Sequence, residues 1–595
     1  MTKSVFYQID ISDIGGHVID ITLQFTPTAD LHLLSLPAWI PGSYMIRDFA
    51  RNITAISASD SEGCLALQQT DKQSWQLACR QHRVTVRYQL YAYDLSVRAA
   101  YVDDEIAILN PACLCLAVAG MQQLVHNVDL LKPSATSCQQ WRVATSLKPA
   151  SDTSWLGFGR YSAKNYAELI DSPILAGVFS LSEFNVDAVP HYLVITGTNR
   201  TDQVKFTADL ARICNSQRQV FASLPADLTQ YWFLLWITED GYGGLEHMHS
   251  TLLLSNRSAL PAPTRSDNTA ECITDSYQDL LALCSHEYFH TWWVKRLKPS
   301  CFKDYQLAAE QYTPQLWLYE GFTSYYDDLA LVRSGLISTE RYITTLEKLI
   351  SRVTRNPSNS KQSLTDSSFN AWTKFYKQDE NAPNAIVSYY AKGALLALCL
   401  HAELAATGSS LDQVVRHLWQ NYLPTGTPDN ALQLTLQQLG FSTLATLCNQ
   451  WLTCSSPLPL ESAFAKLGVQ LKLRPMQHQD DLGGAVSTDN VFIGIQTKIV
   501  NGWLQVTQVY HGGSAHQAGI MVGDQLLALD NVKITSTTWS ELLQRYPLNS
   551  SVQLSVFRKD RLLTLPLTLS LASQQVAILA VTDNSLCQQW LSVNE

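Results

Sequence analysis

His286-Glu287-Tyr288-Phe289-His290 is an HExxH pattern. On a helix, positions i and i+4 share one face, so both imidazoles can offer a nitrogen to one metal ion while Glu287 stands beside it as a general base. Zinc, which takes N and O ligands tetrahedrally, suits this pair. A hydrolytic zinc keeps three protein ligands and one open position, so the pattern demands a third ligand from elsewhere. Glu320 in LWLYEGFTSYYDDL meets that demand, because Leu316, Trp317, Leu318, Tyr319 and Phe322 surround it and an apolar setting disfavours an unpaired charge. Asp327 or Asp328, with Asp327 ranked first, can hydrogen-bond a ligand imidazole and fix its tautomer. The blander alternatives are two surface histidines on an amphipathic helix and exposed aspartates.

The chemistry this set predicts is peptide hydrolysis with one zinc ion. The metal lowers the pKa of its water towards about 7 and polarises the scissile carbonyl, while Glu287 takes the water proton and later passes one to the leaving amine. The developing oxyanion needs a further donor. Tyr389 and Tyr390 of SYYAKG, near the start of an apolar helix, are the candidates, with ordinary core packing as the alternative for either.

The elements that must position these residues are legible in outline. HVIDITLQF (17–25) and VTVRYQLYAY (84–93) alternate apolar and polar residues, the pattern of an antiparallel sandwich, and HYLVITGT and YWFLLWIT are further strand-like runs. Between the first two, LPAWIPGSYMIRDFARNI reads as a loop, broken by Pro37, Pro41 and Gly42. Helical spacing of Leu281, Cys284 and Tyr288 predicts a helix from Asp275 to Val294. Thr313-Pro314 predicts the start of a second helix that Gly335 stops, and a third runs through Lys392 to Leu404. Asn356 to Phe369 reads as a surface connection and Pro475 to Asn490 as a linker, after which strands and Gly-marked turns form a small separate module.

Length, charge and cysteine usage narrow the class. At 595 residues the chain exceeds one hydrophobic core. A net charge of -10 without a basic run argues against nucleic acid as a partner. No stretch approaches the roughly 18 apolar residues of a membrane span, and the N-terminus lacks a secretory apolar run. Thirteen scattered cysteines without CxxC pairs suit reduced core residues, so a soluble, cytoplasmic protein is expected.

HEYFHTWWVKRLKP, LWLYEGFTSYYDDL and YYAKG, preceded by GGLEH, together resemble the glycyl aminopeptidase family of gluzincin metallopeptidases, related to aminopeptidase N and thermolysin. The resemblance runs along nearly the whole chain. It implies a multidomain α+β protein: an N-terminal antiparallel β domain (1–167), a thermolysin-like, mainly helical catalytic domain (168–474) and a C-terminal PDZ domain (485–572). It implies His286, His290 and Glu320 as zinc ligands, Glu287 as base and Tyr390 as the tyrosine that stabilises the tetrahedral intermediate. Gly243-Gly244-Leu245-Glu246-His247 is similar to the GxMEN element, which makes Glu246 the anchor for a substrate's free α-amino group; His247 departs from the Asn of the broader group. WIPGSYMIRDFAR also resembles the family's N-terminal domain, without a role that chemistry supplies.

In the PDZ-like module Phe492, Ile493, Gly494 and Ile495 match the carboxylate-binding loop, where backbone amides take a peptide or protein C-terminus. The expectation is an aminopeptidase removing glycine or alanine from peptides with a free N-terminus. The alternatives are a zinc endopeptidase and a PDZ binding protein with an inactive metal site.

Overall fold

Alternating apolar residues need a sheet with one buried face. In the computed structural model, which describes residues 4–263, 273–487 and 490–592, β1 (Ser4–Asp13) and β2 (Val18–Phe25) form such a hairpin, with Ile19, Ile21, Leu23 and Phe25 in the core. β2 pairs antiparallel with β3 (Val84–Tyr91), as the sequence predicts. β1 departs from a purely antiparallel arrangement, since its other neighbour, β4 (Val125–Leu131), runs parallel to it. A parallel neighbour requires a long crossover, here the whole chain between the two strands, and no local pattern encodes that pairing.

The chain divides into two compact units, Met1–Gln311 with Tyr422–Gly426, and Tyr312–Asn421 with Thr427–Glu595. In the first unit, β5 (Phe179–Val186), β6 (Val189–Thr196), β7 (Tyr231–Thr238), β8 (Gly243–Glu246) and β9 (Ser250–Asn256) form a sheet in the order β5-β6-β7-β9-β8, which leaves the GGLE strand at its edge. β6, β7 and β9 are parallel, and β8 returns antiparallel to β9. Trp232, Leu234, Leu245 and Leu252 of this sheet share one core with Val5, Ile21 and Val86 of the N-terminal strands.

The crossover from β6 to β7 is α1 (Gln203–Phe221), against which α2 (Asp275–Phe289), the HExxH helix, is held. Tyr277 donates to Asp209 at 2.8 Å and Gln217 donates to the Ser285 hydroxyl at 2.8 Å. Thr274 caps the helix by accepting from the Tyr277 N–H, and Leu281, Cys284 and Tyr288 are fully buried. The helix ends at Phe289, five residues before the expected Val294. Trp292, Trp293 and Val294 are all buried, and a continuing helix would fan them over different faces. The chain instead turns, with Val294 at φ 72° and the Leu297 N–H donating back to Trp292 O.

In the second unit, the helix expected from Thr313-Pro314 begins later. Thr313 accepts from the Gln315 N–H, then a single π-helical turn, Trp317–Gly321, opens into α3 (Phe322–Arg333), which Gly335 ends at φ 67°. α4 (Tyr389–Ala405) is capped by Ser388 and longer than the predicted Lys392–Leu404. These helices touch backbone to backbone: a Cβ on Gly321 would lie 2.6 Å from Gly393 Cα, and one on Gly393 would lie 2.9 Å from Trp317 O. Glycine at both positions is what lets YEG and YAKG cross so closely.

Asn356 to Phe369 is not a surface connection. It contains the short helix Leu364–Phe369, and Ser358, Gln362, Ser363, Ser367 and Ser368 are buried. Their polar groups take part in the core instead of facing water: Ser368 accepts from the Trp317 N–H at 2.9 Å and Gln362 from the Val387 N–H at 2.8 Å.

The expected linker, of which residues 488 and 489 lie outside the described ones, is also tied down. Arg474 and Asp481, both buried, pair at 2.6 Å, which satisfies charges that composition alone assigns to solvent. Beyond it, β10 (Ile495–Val500), β11 (Trp503–Val509), β12 (Gln525–Leu529), β13 (Ser551–Arg558) and β14 (Arg561–Thr568) form the C-terminal sheet in that order around a core that includes Ile493, Val506, Leu529 and Leu554.

His191 on β6 is fully buried, its Nδ1–H donating to Val189 O at 2.9 Å and its Nε2 accepting from the Tyr288 hydroxyl at 2.9 Å. Burial pushes its pKa down to about 4. Between pH 6.5 and 4 the unfolded chain therefore binds more protons than the native one, and stability falls as pH drops through that window, by about 3 kcal/mol from this residue. Urea unfolding across pH 4 to 7 measures the slope, which His191→Gln should flatten. Gly393→Ala should cost about 1–3 kcal/mol in the same assay at pH 7, because a methyl group there forces α4 off the π-turn.

Candidate active site

The first unit brings most of the predicted machinery together. His286 and His290 lie on one face at the end of α2, their ring centroids 4.8 Å apart and nearly perpendicular. His290 and Glu287 are buried, and His286 is half-buried. Ligating atoms of Glu246, Glu287 and His290 all lie within 4.8 Å of one another. The edge strand β8 runs against this helix end so closely that a Cβ on Gly244 would collide with the Glu287 carboxylate. That contact explains the glycine at position 244, ahead of Leu245-Glu246.

Glu246 ends β8 with only 4% of its surface exposed. Its Oε1 has no hydrogen-bond partner among the described residues, which is costly for a buried carboxylate and marks a place for a cation. The loop from Trp39 to Tyr44 covers it: a Cβ on Gly42 would sit 2.5 Å from both Glu246 oxygens.

His247, the departure from the GxMEN pattern, is buried and turned away from this carboxylate's role. Its Nδ1 meets Asp171 Oδ1 at 3.2 Å, Lys295 Nζ meets the same oxygen at 2.7 Å, and the Met248 N–H donates to Asp171 Oδ2 at 2.9 Å. Burial opposes the charge on Asp171, but Lys295 and His247 outweigh it and hold the carboxyl well below the usual range. The knot ties the turn after Glu246 to the segment after His290. Nearby, burial and the Lys295 charge push Lys298 down to about 7, its ammonium lying 4.5 Å from the Tyr305 ring centre.

Glu320, Asp327 and Tyr390 belong to the second unit. Glu320 is buried on the π-turn, and Asp327 follows it by seven residues, two turns along the same face. Of the two candidate tyrosines, Tyr389 is fully buried, and burial, Tyr376, Tyr390 and Glu320 raise its pKa well above the usual value. Tyr390 is half-buried, its hydroxyl 3.1 Å from that of Tyr376.

In the C-terminal module Phe492, Ile493 and Ile495 are buried, and Gly494 adopts φ 83°, a conformation that favours glycine. The carbonyls of Ile493 and Gly494 face inward, accepting from Ala515 N–H and Tyr510 N–H at 2.9 Å.

The donors of the first unit fit a zinc ion: two imidazoles one helical turn apart, with carboxylate oxygens of the buried Glu246 and Glu287 within 4.8 Å of a ring nitrogen of His290. The motifs did not point to Asp171, Lys295, Gly42 or Arg98, whose guanidinium donates to Gly244 O at 3.1 Å. A signal exists for Lys295, a charge beside a buried aromatic run. Asp171 and Arg98 reach the site only through the fold.

Family models match residues 6–178 to the Peptidase M61 N-terminal domain, residues 279–396 to the M61 glycyl aminopeptidase and residues 491–569 to the PDZ domain. Among solved structures, an aminopeptidase N family protein from Idiomarina loihiensis is 39% identical, with 99% of this chain and 100% of that one covered at a TM-score of 0.93. An M1 zinc metallopeptidase from Deinococcus radiodurans is 12% identical, covering 77% of this chain and 95% of that one at a TM-score of 0.48. No curated protein matches the chain. With its N-terminal, peptidase and PDZ segments all matched in order, the chain belongs to the M61 glycyl aminopeptidase family and is a peptidase.

Proposed function

We propose that this peptidase is a zinc aminopeptidase that releases small N-terminal residues, glycine or alanine, from peptides. The observation that carries the reading is Glu246: a buried carboxylate with an unpartnered oxygen, beside Glu287 and His290, suits the ammonium of a free N-terminus. The family's name and the glycine-lined approach to Glu246 support the preference for small residues.

In this reading His286, His290 and Glu320 hold one zinc ion, and Asp327 orients one of the imidazoles. A zinc ion bound there supplies Lewis acidity, polarising the scissile carbonyl and acidifying water. The rest is the work of side chains. Glu246 pairs with the α-ammonium and sets the register, so that the first peptide bond faces Glu287. Gly244 puts no side chain between β8 and Glu287, and Gly243 stands beside it on the approach to Glu246. Glu287 accepts the proton of the attacking water and returns it to the leaving amine. The Tyr390 hydroxyl, the more exposed of the pair, donates to the oxyanion.

The loop Phe492 to Ile495 is assigned the C-terminal carboxylate of a peptide, which would extend along the edge strand β10. That edge already carries a guest: the Gln479 side chain accepts from the Thr497 N–H at 2.8 Å and donates to Thr497 O at 3.4 Å, so an added strand has to displace it.

Glu287→Gln should retain one zinc per chain, measured by metal analysis, while kcat/KM on a glycyl reporter falls by about 10²- to 10⁴-fold; unchanged turnover removes Glu287 from the mechanism. Chelation should abolish activity and zinc should restore it. An N-acetylated peptide should resist cleavage, whereas turnover equal to that of the free peptide means an endopeptidase.

A further inference from the structure

We propose that the N-terminal β region makes this an exopeptidase by walling off the cleft on the amine side, with Gly42 roofing Glu246 and Arg98 closing the edge strand. The proposal rests on Glu246 as the amine anchor and adds what limits the substrate to one residue ahead of the scissile bond.

Two independent contacts within the first unit carry it. The first is steric. Gly42 adopts φ 98°, and its Cα is so near Glu246 that any Cβ would lie 2.5 Å from both carboxylate oxygens. A peptide extending past its α-amine would have to occupy the volume of that backbone. Nor is the loop free to lift. The Ala38 N–H donates to Leu307 O at 2.7 Å, and Trp39 Nε1 donates to Gln306 O at 3.0 Å and Ala309 O at 2.9 Å. Tyr44 stacks on Phe302 with centroids 5.9 Å apart. The roof is thus fastened to the stretch that follows the HExxH helix.

The second contact is polar. β8 is an edge strand, and a substrate running on beyond its first residue would add to that edge by main-chain hydrogen bonds. Arg98 Nη2 donates to Gly244 O at 3.1 Å, and a Cβ on Gly243 would lie 3.7 Å from Nη1, so the guanidinium lies along the strand and holds the acceptor that an added strand requires. Gly42 stops extension over Glu246, and Arg98 stops it along β8. Both are positioning residues that define specificity and take no part in bond breaking.

The test follows products released from Gly-Ala-Gly-Ala peptides by mass spectrometry, with kcat/KM on a glycyl reporter. Wild type should release single residues. Arg98→Ala should release dipeptides at least tenfold more often relative to single residues. Gly42→Ala should lose at least tenfold in kcat/KM, chiefly through KM, with zinc content unchanged. Arg98→Ala that still releases only single residues, or folded Gly42→Ala with wild-type kinetics, overturns the proposal. If Gly42→Ala does not fold, Arg98→Ala decides alone. Glu246→Gln separates the two levels: if it leaves the preference for a free amine intact, the anchor reading fails, whereas if that preference is lost while Arg98→Ala and Gly42→Ala behave as wild type, only the wall fails.

Discussion

Burying a carboxylate without a counter-charge costs several kcal/mol, and the buried Glu246 carboxylate has an oxygen with no hydrogen-bond partner among the described residues. That cost constrains the rest of the molecule. A cation that meets the charge offsets this cost. Structural carboxylates in the same protein are treated differently: Asp171 has Lys295, Asp412 has Arg333 at 2.9 Å, and Asp481 has Arg474. The contrast sets the Glu246 carboxylate apart from these paired scaffold acids.

Glycine is the device that lets backbone come near enough to these charges. Gly244 passes under Glu287, Gly42 over Glu246, and Gly321 meets Gly393 where Glu320 and Tyr390 leave their helices. At each place a methyl group would collide with backbone or with a carboxylate. The π-turn at Trp317–Gly321 belongs to the same economy of space, since an extra residue in a turn re-aims the side chain that follows. These positions convert a general fold into fixed distances.

The protein hydrolyses peptides in a family context where the peptidase segment is flanked by two others, and the flanking segments are not passive. The N-terminal strands share a core with the five-stranded sheet, so residues as distant as Gly42 and Arg98 stand at the site by virtue of packing. At the other end, Asn384 donates to Val509 O at 2.8 Å and accepts from the His511 N–H at 2.8 Å, which fastens the C-terminal module a few residues ahead of Tyr390.

Local chemistry wrote much of this into the sequence. The HExxH spacing, the apolar surroundings of Glu320 and the period-two strands each depend on residues within a turn or two of one another, so they could be read directly, and the family resemblance extended them to the order of segments. What only the tertiary structure decided involves partners far apart in the chain: the parallel pairing of β1 with β4, the helix that stops at Phe289 because three bulky residues need one core, and the buried serines of Asn356 to Phe369. The Asp171–Lys295–His247 knot and the roof of Gly42 over Glu246 are of the same kind. Such contacts depend on the close packing of surfaces that meet only after folding, and no periodicity along the chain records which surfaces those are.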